Sequence, residues 1–296
     1  MSTAVAVTAA LLAALTFAVA AVLQQAAAAE VPETQSLHPR LILSLLRRPL
    51  WLLGVGMAAA SYIIQGVALA FGTLVLVMPL ASTDLLFALP IIAWRRGQRL
   101  TAAELTGAAC TAGGVAAFLA VLPGQTGRAV PGLADWVPLL VIVVLLAAGL
   151  LAAGVRAPTN LRTGLYAAAA GLLFALLDAL TKGAAGQFRD VGAAALAHWE
   201  PYALIVVGVS GLLLVQSAYQ AGPLAISLPV IDTVEPVGSV WMGAAVFSEP
   251  LATSWKLAVQ IVGGALAIAG ILILSRSSLV ESDREVSEED IKPGLA

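Results

Sequence analysis

Nine stretches of this chain are each about 20 residues long and largely apolar, the length a helix needs to cross a bilayer. They fall near residues 4–24, 50–70, 73–94, 102–122, 136–154, 161–182, 201–220, 223–246 and 254–275. Hydrocarbon offers no partner for a backbone N–H or C=O, so a segment that crosses it must satisfy its own hydrogen bonds. The fold class that follows is all-α and integral to the membrane, with about nine transmembrane helices. Composition agrees: of 296 residues, 60% are apolar and only 11% are charged, against roughly 25% charged in a soluble domain. A soluble core could not absorb that much apolar surface.

The same composition removes several function classes. Cys110 is the one cysteine, so no internal disulfide can form. No basic cluster tracks nucleic acid. His38 and His198 lie far apart in connections, and no phosphate loop, Ser/His/Asp set or Cys/His cluster occurs. The expectation is a chain that is not an enzyme and needs no cofactor, with the lipid bilayer as its main partner. The stretch Ala4–Leu23 superficially resembles a secretory signal. No Lys or Arg precedes it, so it reads as a membrane span. Thr101 and Glu104 have capping-box spacing and predict a helix start there. Residues 37–48 are amphipathic and predicted to lie on the membrane surface. Residues 276–296 are acidic and short of hydrophobics, a composition that predicts a disordered tail.

Lys and Arg orient the spans, because cytoplasmic loops are enriched in them. With nine spans, eleven of the fifteen Lys and Arg residues fall on one side and four on the other. The expected placement is the cell inner (cytoplasmic) membrane, N-terminus outside and C-terminus in the cytoplasm. Trp51 and Trp94 then fall at the inner interface, and Trp136, Trp199 and Trp255 at the outer one.

The chain also repeats itself. Gly72, Leu74, Pro79, Thr83, Gly113 and Gly114 recur 150 residues later as Gly222, Leu224, Pro229, Thr233, Gly263 and Gly264. The third span runs inward and its counterpart, the eighth, runs outward. Residues 1–122 and 136–275 are therefore expected to form two half-repeats of inverted topology, a recurrent plan of secondary transporters with the site near the midplane.

RRPLWLLGVGMAAASYIIQGVALAFGTLVLVMPLASTDLLFALPIIAW with LTAAELTGAACTAGGVAAFL resembles the half-repeat of EamA-like proteins in the drug/metabolite transporter superfamily. QSAYQAGPLAISLPVIDTVEPVGSVWMGAAVFSEPL, followed by the Gly263–Gly264 helix, resembles the second half. The likeness spans roughly Pro49 to Leu274 and includes Glu249 after the penultimate helix. Its motifs identify fold better than substrate. Members usually have ten helices; here one is missing from the first half. The nine-helix plan also resembles the NIPA-type magnesium transporters of the same superfamily. Both resemblances imply transport and disagree about cargo.

Four carboxylates lie well inside predicted spans: Asp84, Asp178, Asp232 and Glu235. Each would cost at least about 2.5–3.5 kcal/mol at a helix centre facing lipid, so each should face the interior, a partner or water. Asp84, Asp232 and Glu235 are candidates for binding a proton, cation or polar substrate; the plain alternative is hydrogen-bonded packing. Pro79 and Pro229 precede these acids, remove backbone donors and are predicted to break their helices. Asp178 and Lys182, four apart on one helix face, read as an internal ion pair or a gate. Gln65 with Tyr62, and Gln216 with Tyr219 and Gln220, could bind a polar substrate or tie helices together. No metal ligand set can be assigned.

Three functions follow as expectations. The first is a secondary transporter or exporter of small polar or amphipathic metabolites, working by alternating access with protonation of Glu235 and Asp84. The second is a divalent-cation transporter that offers Mg²⁺ hard oxygen ligands. The third is a non-transporting membrane subunit or a partner in moving lipid-linked intermediates. A homodimer is compatible with all three.

Overall fold

The computed structural model describes residues 2–29, 47–124, 127, 131–221 and 224–275. The described residues form ten α-helices and no strand. They are α1 (Ser2–Ala29), α2 (Pro49–Phe71), α3 (Leu74–Ala81), α4 (Asp84–Arg96), α5 (Ala102–Ala120), α6 (Leu133–Val155), α7 (Thr159–Val191), α8 (Glu200–Ala221), α9 (Leu224–Val246) and α10 (Trp255–Leu274). A 3-10 stretch, Gly192–Ala197, follows α7. Most of the segment at 37–48, the tail at 276–296, and the side chains of Gln24, Gln25, Gln216, Tyr219 and Gln220 lie outside the described residues.

Among the described residues, seven helical segments are long and apolar enough to cross a membrane: α1, α2, α3 with α4, α5, α6, α7 and α10. The chain thus has the make-up of an all-helical, multi-pass membrane protein. The nine expected stretches are all helical, but two are not among these seven. In α8 the stretch whose side chains are described, Glu200–Val215, is apolar but shorter than a full span. In α9, Asp232, Glu235, two prolines and two glycines interrupt the apolar run.

Local sequence sets the helix ends. Pro49 opens α2, where its missing N–H costs nothing. The Thr101 hydroxyl accepts from the Glu104 N–H at 3.3 Å, and Glu104 Oε2 accepts from the Thr101 N–H at 2.6 Å, closing the expected capping box at α5. Gly97 ends α4 in the left-handed conformation that glycine adopts at least cost.

One predicted break occurs and its counterpart does not. Pro79 and Pro229 are each the sixth residue of their helix, α3 and α9. After Pro79 the helix stops at Ala81 and resumes at Asp84. There the Ser82 hydroxyl donates to the Pro79 carbonyl at 3.0 Å and the Thr83 hydroxyl to the Leu80 carbonyl at 2.6 Å. The Thr83 N–H also bonds three residues back, to Leu80. Side-chain hydroxyls that bond nearby carbonyls give the backbone an alternative to the helix. In α9 the residue matching Ser82 is Asp232, and the Thr233 hydroxyl bonds four residues back, to the Pro229 carbonyl at 2.7 Å. The expected break at Pro229 is therefore corrected: α9 is one helix from Leu224 to Val246.

The molecule is organised around α7, which packs on α2, α6, α8 and α9. Its membrane-length window is 61% buried, against 22% for α2 and for α6, so it is the central helix. It runs nine residues past the predicted end at 182. The Arg189 guanidinium holds the extension, donating to the Ala70 carbonyl at the end of α2 and lying over the Phe71 ring. Leu172, Leu176 and Leu180 of α7 join Leu74 and Val77 of α3, Met242 and Val246 of α9, and Trp136 and Val143 of α6 in one core. Trp136 is fully buried in the protein, edge-on to Trp199 and Phe247.

α5 and α10 pair through glycines. A Cβ on Gly263 would lie 2.7 Å from the Phe118 nitrogen and 2.8 Å from the Gly114 oxygen, and one on Gly270 would lie 2.6 Å from the Gly107 oxygen. These pairings run in opposite chain directions, so the helices cross antiparallel. Such close approach is what small residues allow between membrane helices, where lipid provides no hydrophobic drive and packing must supply the attraction.

Candidate functional site

The middle of the bundle holds a group of acids carried by three helices, α4, α7 and α9. Asp178 of α7 is its best-anchored member. Its Oδ1 accepts from Gln65 Nε2 of α2 at 3.1 Å. Its Oδ2 lies 2.7 Å from the Ser239 hydroxyl of α9, which is also 2.8 Å from the Glu235 carbonyl. The hydroxyl carries one proton, so it serves one of these acceptors at a time. Gln65 is further positioned by the Met78 sulfur of α3, 3.7 Å from Nε2.

Asp84, Asp232 and Glu235 stand differently. Asp84 is the first residue of α4, at the break, and its Oδ1 accepts from the Leu85 N–H at 2.9 Å. That places a carboxylate at a helix N-terminus, where the backbone favours negative charge. Asp232 and Glu235 sit on α9, and no described residue gives either carboxylate a hydrogen bond or an ion pair. Glu235 is close enough to Asp178, Asp232 and Asp84 for their charges to act on one another. Tyr62 of α2 is instead exposed and meets Phe17 of α1 edge-on, with ring centroids 6.4 Å apart. The three acids are half-buried. Among the described residues no three His, Cys, Asp or Glu side chains are arranged to hold a metal ion.

The expected Asp178–Lys182 ion pair is not formed. Lys182 turns towards one end of the bundle and pairs with Glu249 at 3.0 Å. The reason is the chemistry at Glu249. Its Oε1 also accepts from the Leu74 N–H and its Oε2 from the Val75 N–H, both at 3.0 Å, so it caps the first turn of α3. An anion fixed at a helix N-terminus attracts the lysine more strongly than Asp178, whose oxygens are taken by Gln65 and Ser239. Lys182 also donates to the Gly72 carbonyl at 2.6 Å and lies 5.2 Å from the centre of the Phe247 ring. Both charges are buried.

The structure therefore gathers Asp84, Asp178, Asp232, Glu235 and Gln65, and leaves Lys182 and Tyr62 out. Glu249 was not singled out as a site residue by sequence reasoning. A signal for it was present, an acid between Phe247 and Pro250 in an apolar context, but it served only as a marker of resemblance.

The sequence is 29% identical over 271 residues to an uncharacterized protein of Corynebacterium glutamicum, an alignment that covers 91% of this chain and 94% of that protein. No family model matches the chain. No solved structure matches it.

Proposed function

We propose that this chain is a secondary transporter of small polar or amphipathic metabolites, coupled to protons that bind the acids of α4 and α9. In this reading nine segments span the cell membrane as two inverted half-repeats, with the N-terminus outside and the C-terminus in the cytoplasm. The antiparallel crossing of α5 and α10 supports that symmetry, since inverted repeats would relate these two helices. So does the matched placement of Pro79 and Pro229 in α3 and α9.

The observation that carries the proposal is the charge balance of the interior. Asp84, Asp178, Asp232 and Glu235 come from both halves, and the nearby lysine is committed to Glu249. Uncompensated acids in a membrane interior are costly and mark ion pathways and proton relays. A group that lacks its own cation suits a proton, and equally a cargo with an ammonium group. Mg²⁺ demands near-octahedral oxygen ligation, and the described residues offer no converged set for it. A scaffolding role would not account for acids left half-buried without partners.

The test is reconstitution in liposomes carrying an imposed pH gradient, screened over polar metabolites with and without an ammonium group. Addition of a true cargo should dissipate the gradient and accumulate that cargo. If no cargo moves and the gradient decays no faster than in empty liposomes, the proposal fails.

A further inference from the structure

Lys182 and Glu249 are built into a single clasp, and three separate segments meet there. Lys182 comes from α7, Leu74 and Val75 from the start of α3, and Glu249 from the connection between α9 and α10. Every polar atom at the meeting point is occupied. The carboxylate takes two backbone N–H groups and the ammonium, and the ammonium takes the carboxylate and the Gly72 carbonyl. Phe247 packs beneath, edge-on to Trp136, which in turn meets Trp199 edge-on.

The clasp sits directly over the acidic group. On α7, Lys182 is one turn beyond Asp178. On α3, Leu74 is one turn before Met78, the residue that touches Gln65. Each spacing is four residues, about 6 Å of rise, so the clasp lies between the Asp178 level and one end of the bundle.

The connection that carries Glu249 is held rather than relaxed. Ser248 and Ser254 have φ of 53° and 56°, a left-handed conformation that residues with a side chain rarely adopt. The Glu249 N–H is tied to the Gly243 carbonyl at 3.1 Å. A methyl group on Gly243 would lie 2.5 Å from Glu249 Oε2, so glycine there leaves room for the carboxylate. Backbone in such a conformation persists only while its surroundings enforce it. Parting the ion pair would release the connection, and water could then solvate both charges.

We propose that the Lys182–Glu249 clasp is the gate at one face of the membrane, shut in this structure and parted when the interior acids are exposed to that face. The gate belongs to the transport cycle proposed above and presupposes it. On the orientation expected from Lys and Arg, the gated face is the outer one.

The gate is tested with a reporter cysteine one turn below it. In a Cys110→Ser background, Met78→Cys is buried beneath the clasp. Its reaction with a membrane-impermeant methanethiosulfonate is measured in proteoliposomes from each face. With the clasp intact, labelling should be slow from the clasp face. Glu249→Gln, which keeps shape, and Lys182→Met should each raise the rate from that face at least ten-fold and leave the rate from the other face unchanged. Gly243→Ala, which keeps both charges but crowds Glu249, should act in the same direction.

Unchanged labelling in all three variants overturns the gate. An equal rise from both faces overturns it as well, because that is general loosening. Failure of all three variants to assemble makes the clasp a permanent fastener and also overturns the gate. Labelling does not depend on knowing the cargo, so the two proposals fail separately. Unresponsive labelling in a chain that supports flux sinks the gate alone, whereas responsive labelling without any flux sinks the transport reading.

Discussion

Two acids of the second half, Glu249 and Glu235, live under opposite rules. Glu249 is buried and saturated: two backbone donors and an ammonium face its two oxygens. Glu235, fourteen residues earlier in the chain, is half-buried, and no described residue gives its carboxylate a partner. Charges taken out of water are expensive, and only complete pairing offsets that cost. Glu249 therefore belongs to the architecture of the closed state. Glu235 is tolerable only if something else, such as a proton, a cation or water, completes it. The difference separates an acid that holds segments together from one that the described residues leave without a partner.

Mutagenesis can break that contrast. The largest loss of stability should come from Glu249→Ala, which strands a buried lysine and uncaps α3. The expected cost is about 3–5 kcal/mol, typical of removing one partner from a buried pair, and is readable as a large drop in the thermal unfolding midpoint of the purified protein. Asp178 lies between the two extremes, since two neutral donors hold it. Ser239→Ala removes one of them and should cost about 1.5–3 kcal/mol, the worth of a hydrogen bond to a charged group. Glu235→Gln should change stability least, by less than about 1 kcal/mol, because no protein hydrogen bond is lost. If thermal unfolding instead ranks Glu235→Gln above Glu249→Ala, the division between holding and waiting acids is wrong.

Much of the fold was readable because its signals are local. Runs of about 20 apolar residues located the helices, and Thr101 with Glu104 marked the start of α5 to the residue. The extension of α7 was not readable, because what holds it is Arg189 reaching Ala70, 119 residues away in the chain. The break after Pro79 and its absence after Pro229 go with hydroxyl bonding: Ser82 and Thr83 bond carbonyls three residues back, whereas Asp232 replaces the serine and Thr233 bonds four residues back. Proline spacing alone is blind to that.

The site divided in the same way. Depth along a helix pointed to Asp84, Asp232 and Glu235 as interior acids, and each is partly buried in the bundle. Asp178 and Lys182 misled, because a spacing of four guarantees only that two side chains share a helix face. Which partner each takes was decided by groups 61 to 113 residues distant for Asp178, and by Glu249, sixty-seven residues on, for Lys182. Tertiary competition of that kind leaves no mark in local sequence.

The central proposal is that Glu235, one of two acids on α9 without a protein partner among the described residues, binds the coupling proton. It is tested most directly by measuring cargo flux in proteoliposomes for the wild type and Glu235→Gln, with and without a pH gradient. Glutamine keeps the shape of the side chain and cannot titrate. The mutant should therefore reach normal membrane levels and lose gradient-driven accumulation at least ten-fold, while retaining exchange of cargo across the membrane when no gradient is imposed. A mutant that accumulates cargo as the wild type does, under the same gradient, would contradict the account and make Glu235 a packing residue.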